Sequence, residues 1–156
     1  MIPGMTVTPF PAVSRTPIDA QADIAAVETL IAGLSGVIAA TGGVAALAGR
    51  DLLETDVVER AAMLTAMYDD GEVVFGWRDG RTGDVANVVL ERLAAGSGRI
   101  VWRAEVYVEE DAGHALRGAF VARDLADVSA ALTCAAGEAL ARPLPKPGAA
   151  LAAALA

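Results

Sequence analysis

Between Arg99 and Glu109 the side chains alternate in character. Trp102, Ala104, Val106 and Val108 fall on one side of an extended chain, and Arg103 and Glu105 on the other. A strand repeats every two residues, so this segment has one face to bury and one to keep wet. That is the habit of an antiparallel sheet covered on one side. The rest of the chain must supply further strands and an apolar layer to cover them.

Further strands are legible on either side. Glu72 to Trp77 is β-branched and aromatic, which predicts a strand. Arg78 to Gly83 (RDGRTG) predicts a turn. Val85 to Leu93 is read as a strand on Val85, Val88 and Val89, although Glu91 to Ala95 suits a helix. Gly96-Ser97-Gly98 marks the turn before Arg99. For helices, Thr16-Pro17-Ile18-Asp19 has a capping residue, a proline and an early acid in the order of a helix start. Ile24, Val27, Ile31 and Leu34 then recur at helical spacing, and the helix is expected to end between Gly36 and Gly42. Asp51 to Asp70 predicts a second helix, with Val57, Val58, Ala61, Leu64, Thr65 and Tyr68 as its stripe and Gly71 as its stop. Ala115 to Ala141 predicts the last, from Leu116, Phe120, Val121, Leu125, Val128, Leu132 and Ala136. Pro143, Pro145 and Pro147 end it. No internal repeat or heptad run is present.

These elements predict an α+β domain over residues 17–141. Its small, mainly antiparallel sheet has about three to four strands against two or three helices. A chain of 156 residues is an ordinary size for one such domain. Residues 1–16 and 142–156 are expected to be arms. Pro3, Pro9 and Pro11 oppose helix in the first, while Val7, Phe10 and Val13 are apolar outside any periodic element. The second carries Leu144, Leu151 and the run AALAAALA, an apolar tail with no evident partner in its own chain. Both arms are expected to order against neighbouring subunits.

The net charge is −8, with a single lysine, Lys146, and scattered arginines. Phosphate binding needs clustered cations, so sequence-specific nucleic-acid binding is not expected. Cys134, the one cysteine, sits in an apolar helical pattern and is expected to be a small buried hydrophobe. The first residues lack a basic region followed by an apolar core, so no secretory signal is read there. Thr29 to Gly49 is uncharged and long enough to span a bilayer. Its five glycines and lack of aromatic flanks favour a turn near Thr41-Gly42-Gly43, and no membrane role is expected.

No catalytic, cofactor or metal site is predicted. Gly76, Gly80 and Gly83 lack the Gly-Lys-Ser/Thr register of a phosphate loop. Glu109, Glu110, Asp111 and His114 place four metal-capable side chains together, with no second histidine to complete a transition-metal site. Asp69, Asp70 and Glu72 could serve acid–base chemistry only if burial separated their pKa values. Ser14, Ser35, Ser97 and Ser129 lack the setting of an activated nucleophile around His114.

The strand GEVVFGW, a glycine-rich loop, the strand RIVWRAEVYVEE, a short loop and a helix opening with RGAFVARDLADVSAAL follow two helices. In this order they resemble bacteriophage tail terminator and tail completion proteins of the Mu type, over about residues 18–135. The resemblance implies a mixed α/β subunit of a virion or tail-like particle, assembled in the host cytoplasm. It also implies a homo-oligomeric ring, commonly a hexamer, that meets tube or neck proteins. The residues read as contacts are Val7, Phe10, Val13, Arg78, Arg81, Leu144 and Leu151. The competing reading is a different protein-binding module, such as a secretion chaperone or immunity-type protein.

Overall fold

The computed structural model describes residues 12–47, 50–51, 57–111, 113–137 and 144–156. Four strands form a continuous antiparallel meander: β4 (Glu72–Arg78), β5 (Val85–Ala95), β6 (Ile100–Glu110) and β7 (Gly113–Ala122). Along them Phe75, Trp77, Val88, Leu90, Trp102 and Val106 all point to one face and are buried. Two further strands, β2 (Val44–Leu47) and β3 (Arg50–Asp51), extend the sheet beyond β4. Among the described residues the order is therefore β3-β2-β4-β5-β6-β7. A short strand β1 (Val13–Arg15) pairs with β5 outside that path.

The fold is α+β, as expected, with a sheet larger than the three to four strands predicted and, among the described residues, four helices rather than two or three. Part of the difference lies at residues 113–122, which form a strand rather than the first turns of the last helix. Leu116 and Phe120 are four apart and mimic a helical face. The wide strand β6 decides otherwise, because its far edge needs a partner. The β6–β7 hairpin provides one, with Gly113 at φ 121 and a register shift between Val106 and Tyr107. Among the described residues of the predicted helix, 125–137 are helical, as α3 (Leu125–Gly137), and 138–141 lie outside the described residues.

Helix α1 (Gln21–Ala40) lies beside α3 on the inner face and buries Val27, Leu30, Ile31, Leu34 and Ile38. Five such side chains contribute roughly 10 kcal/mol of gross burial before chain entropy is counted. Helix α2 (Val57–Asp70) adds Leu64 and Tyr68, with Met63 and Met67 packed alongside. The predicted stripe of α2 is off by a rotation: Val58 is 80 % exposed, and Ala61 and Thr65 also face outward.

Helix α1 is long and apolar enough to cross a membrane. Here it ends at Ala40 and gives way to the turn 41–43, with Gly42 at φ 80, and then to β2. Cys134 is exposed, not buried, because α3 turns its leucines rather than this position to the core.

The segment read as a helix start has another use. Helix α1 begins at Gln21 with no side-chain cap at Ala20. Thr16 instead donates its N–H to the Arg92 carbonyl at 2.9 Å, and Ile18 donates to Tyr68 O at 2.8 Å. Residues 13–16 therefore continue along β5 from the point where β4 begins. The Arg92 N–H donates to Gly71 O at 3.2 Å, so β1 and β4 share one edge of β5 end to end. Gly71, at φ 70, makes the junction; a Cβ there would overlap the Thr16 carbonyl.

The C-terminal tail finds a partner in its own chain. Leu144 packs on the main core and Pro145 O accepts from Ala119 N–H at 3.0 Å. After Lys146, helix α4 (Pro147–Leu155) lies on the other face of the sheet, where Leu151 is buried against Leu93 and Val101. The tail therefore wraps the β7 edge.

Two glycine substitutions test this packing. Gly71→Ala combines a left-handed backbone with a steric overlap and should cost about 2–3 kcal/mol. Gly33→Ala, on the exposed helix face with no neighbour in reach, should gain about 0.5–1 kcal/mol. Thermal melts of the two variants should shift in opposite directions.

Candidate interaction surface

The outer face of the sheet alternates with the core. It carries Glu72, Val74, Gly76 and Arg78 on β4, and Val85, Asn87, Val89, Glu91 and Leu93 on β5. On β6 it carries Val101, Arg103, Glu105 and Tyr107. Along the strands this face divides into three bands.

The first band, around Leu93 and Val101, lies under α4. The second is charged. Glu72 stands directly opposite Glu91, a pairing that would repel if left alone. Arg15 reaches in from β1, pairs with Glu72 and comes within 3.9 Å of Glu91. From the other side Arg103 donates to Glu91 at 2.9 Å and lies 3.7 Å from Glu105. Three carboxylates thus share two guanidiniums on this band. Burial pushes the Glu105 carboxyl above its ordinary 4.5; Arg103 opposes the rise and the Glu91 charge adds to it. Burial likewise raises the Tyr107 phenol, with Glu105 adding to it.

The third band is open and mostly apolar. Val44, Ala46, Gly76, Val85 and Asn87 line a hollow of about 440 Å³, with Arg78 and Glu109 at its rim. Val74 and Val89 lie half-buried next to it, on the side of the charged band. Leu116, opposite Tyr107, is 43 % exposed.

A second hollow of about 700 Å³ lies between the N-terminal halves of α1 and α3 above Trp102. Its charged side chains have structural partners. Asp23 pairs with Arg92 at 3.5 Å, Arg123 donates to carbonyls of α4, and Asp124 accepts the Ala126 N–H at 3.0 Å.

The residues proposed as contacts have dispersed. Val7 and Phe10 lie outside the described residues. Val13 packs beside Leu93 and Val101, Leu144 packs on the core, and Leu151, on α4, is buried against Leu93 and Val101. Arg81 is held by its own chain. It pairs with Asp79 at 3.0 Å and donates to the carbonyls of Ala136 and Gly137, which closes the end of α3. Asp79 is buried and accepts the N–H groups of Arg81 and Thr82. These contacts, the Arg81 side chain first, hold its carboxyl below the ordinary 3.8. Of the five that are described, Arg78 is the one on the open band, where it is exposed.

The acid–histidine group comes together only in part. Glu109 and His114 stand opposite each other on the exposed end of the β6–β7 hairpin. No group of three metal-capable side chains gathers among the described residues. Asp69 and Asp70 are exposed at the end of α2, while Glu72 serves Arg15.

The open band was missed in the sequence, and a signal for it existed. Val74, Val85 and Val89 sit at outward positions of strands whose inward positions are also apolar. A strand that is apolar on both faces has two surfaces to cover. No family model, curated protein or solved structure matches the chain.

The charged band yields a pH prediction. A carboxylate whose folded pKa is raised binds more protons in the folded state, so stability falls as pH rises from 4.5 through the raised value. Glu105→Gln should remove that fall and leave the isolated chain as stable as the parent, or more so, at pH 7. Urea denaturation of both proteins at pH 4 and pH 7 measures it; equal pH slopes would contradict the assignment.

Proposed function

We propose that the chain is a structural assembly subunit that acts by binding, without catalysis or a cofactor. It is a tail terminator, tail completion or neck ring protein of a phage or phage-tail-like particle, put together in the host cytoplasm. The observation that carries the reading is the open apolar band on the outer sheet face, bordered by a charged ladder. A partly exposed apolar surface rimmed by charge is the make-up of a protein–protein contact. The acidic balance of the ladder favours a protein partner with basic groups over nucleic acid or an anionic membrane.

A ring follows if this surface meets a different part of the next copy, since heterologous contacts close by rotation. The short β3 and β2 strands at the sheet edge offer a second contact region. The resemblance of the sequence segments to tail terminator and completion proteins, read with a helix where β7 stands, supplies the particle, a hexamer, and the tube or neck proteins as partners. A secretion chaperone or immunity-type protein would use the same surface for one client.

Light scattering on a sizing column, with negative-stain images, tests the reading. A ring is the expected result, alone or on addition of tail tubes. A strict monomer or dimer that ignores tail tubes overturns it, and a tight one-to-one complex with a single client favours the chaperone reading. Val89→Arg places a charge in the open band. It should leave the circular dichroism spectrum intact and weaken assembly by about tenfold or more.

A further inference from the structure

The helix that covers the first band of the outer face is held in an unusual way. Leu151, Leu93 and Val101 form a hydrophobic cluster separate from the main core, with Val13, Val121 and Leu155 around it. Helix α4 has no basic residue in its last turn. The carbonyls of a helix's last turn have no partner within the helix and carry partial negative charge. Here two arginines from elsewhere meet them. Arg99, from the β5–β6 turn, donates to Leu155 O at 2.9 Å and Ala156 O at 3.2 Å. Arg123, between β7 and α3, donates to Ala154 O at 3.0 Å and also to Ala156 O. An apolar socket and a guanidinium clamp together form a receptor for the end of a short apolar helix.

The occupant is loosely built into the protomer. Among the described side chains of α4, Leu151 is the one that is buried, and the outward positions Ala152 and Ala153 are uncharged. A nine-residue helix is marginal by itself in water, so α4 is helical because it is docked. Leu144 and Pro145 stay on β7 through the core and the Ala119 N–H. Lys146 is extended (φ −67, ψ 134) between Pro145 and Pro147, as a residue before proline is expected to be, and joins the strap to the helix. Because the socket's cluster is not part of the main core, lifting α4 leaves the layer between sheet and helices intact.

We infer that this socket is a subunit-exchange site, and that in the assembled ring it takes α4 from a second copy of the chain. The socket recognises features that every copy carries: a leucine one turn from the helix end, and terminal carbonyls set against Arg99 and Arg123. It adjoins the charged and open bands already assigned to assembly, so the exchange lies on one continuous face. The inference rests on the ring reading.

Cysteine pairs in the full chain test it. In a Cys134→Ser background, Val121→Cys and Ala154→Cys place thiols on socket and helix, which pack together. The ring fraction is oxidised and run on a denaturing gel without reductant. The expected result is a ladder of covalent dimers and larger species that collapses to monomer on reduction. An intact ring whose disulfides are all within single chains overturns exchange and leaves the ring reading standing. A monomer at every concentration on the sizing column, with internal disulfides alone, overturns both. Val13→Cys with Leu155→Cys serves as a second pair should the first lower the melting temperature. Adding Arg99→Glu and Arg123→Glu should cut the cross-linked fraction by roughly tenfold; an unchanged ladder would remove the clamp from the mechanism.

Discussion

The architecture depends on one residue's position, Arg92 on β5. Its carbonyl accepts from Thr16 and its N–H donates to Gly71, so two chain segments far apart in sequence meet on one strand edge. Its guanidinium donates to Thr16 Oγ1 at 2.6 Å and pairs with Asp23 on α1. The entry to α1, the exit from α2 and the start of β4 are therefore fixed at one point. Backbone hydrogen bonds are modest one by one, yet a buried donor or acceptor left without a partner is costly. Loss of the junction would leave several without partners at once. The strict fit at Gly71 follows from the same crowding.

From that junction the two faces of the sheet take on different tasks. The inner face is filled by α1, α2 and α3, and its residues are almost all apolar. The outer face combines a helix-covered end, a charged middle and an open end. The charges in the middle are arranged so that no carboxylate pair stands without a guanidinium. In ion pairs as covered as those of Glu91, the cost of desolvation offsets much of the attraction, so they add little to stability. Their effect is to keep polar side chains fixed in position on a surface that would otherwise be a bare apolar sheet.

Much of the fold was legible in local pattern. The alternation along β6, the hairpin glycines and the helical stripe of α1 each act over a few residues, and each appears where expected. Elements set by distant partners were not legible. Residues 113–122 carry both a helical and a strand pattern, and the need of β6 for an edge partner decides between them. Thr16-Pro17 has the chemistry of a helix start, but β5 takes its hydrogen bonds first. The alanine-rich tail has no periodic signal beyond two leucines, so its place on Leu93 and Val101 could come only from the assembled sheet. The outer surface was hidden for a related reason: Val74 and Val89 are read as core residues until a face is assigned to each strand.

The position of α1 has a consequence during synthesis. Its apolar stripe around Leu30 leaves the ribosome about 100 residues before Leu132 of α3, the helix that lies alongside it. At ~5–20 residues per second, that is roughly 5–20 s in which a long apolar helix has no finished surface to rest on. The meander from β4 to β7 is built from neighbouring hairpins and can form quickly once translated. The N-terminal half of this chain thus presents apolar surface before its cover is made, and the speed of translation through residues 72–132 sets how long that exposure lasts.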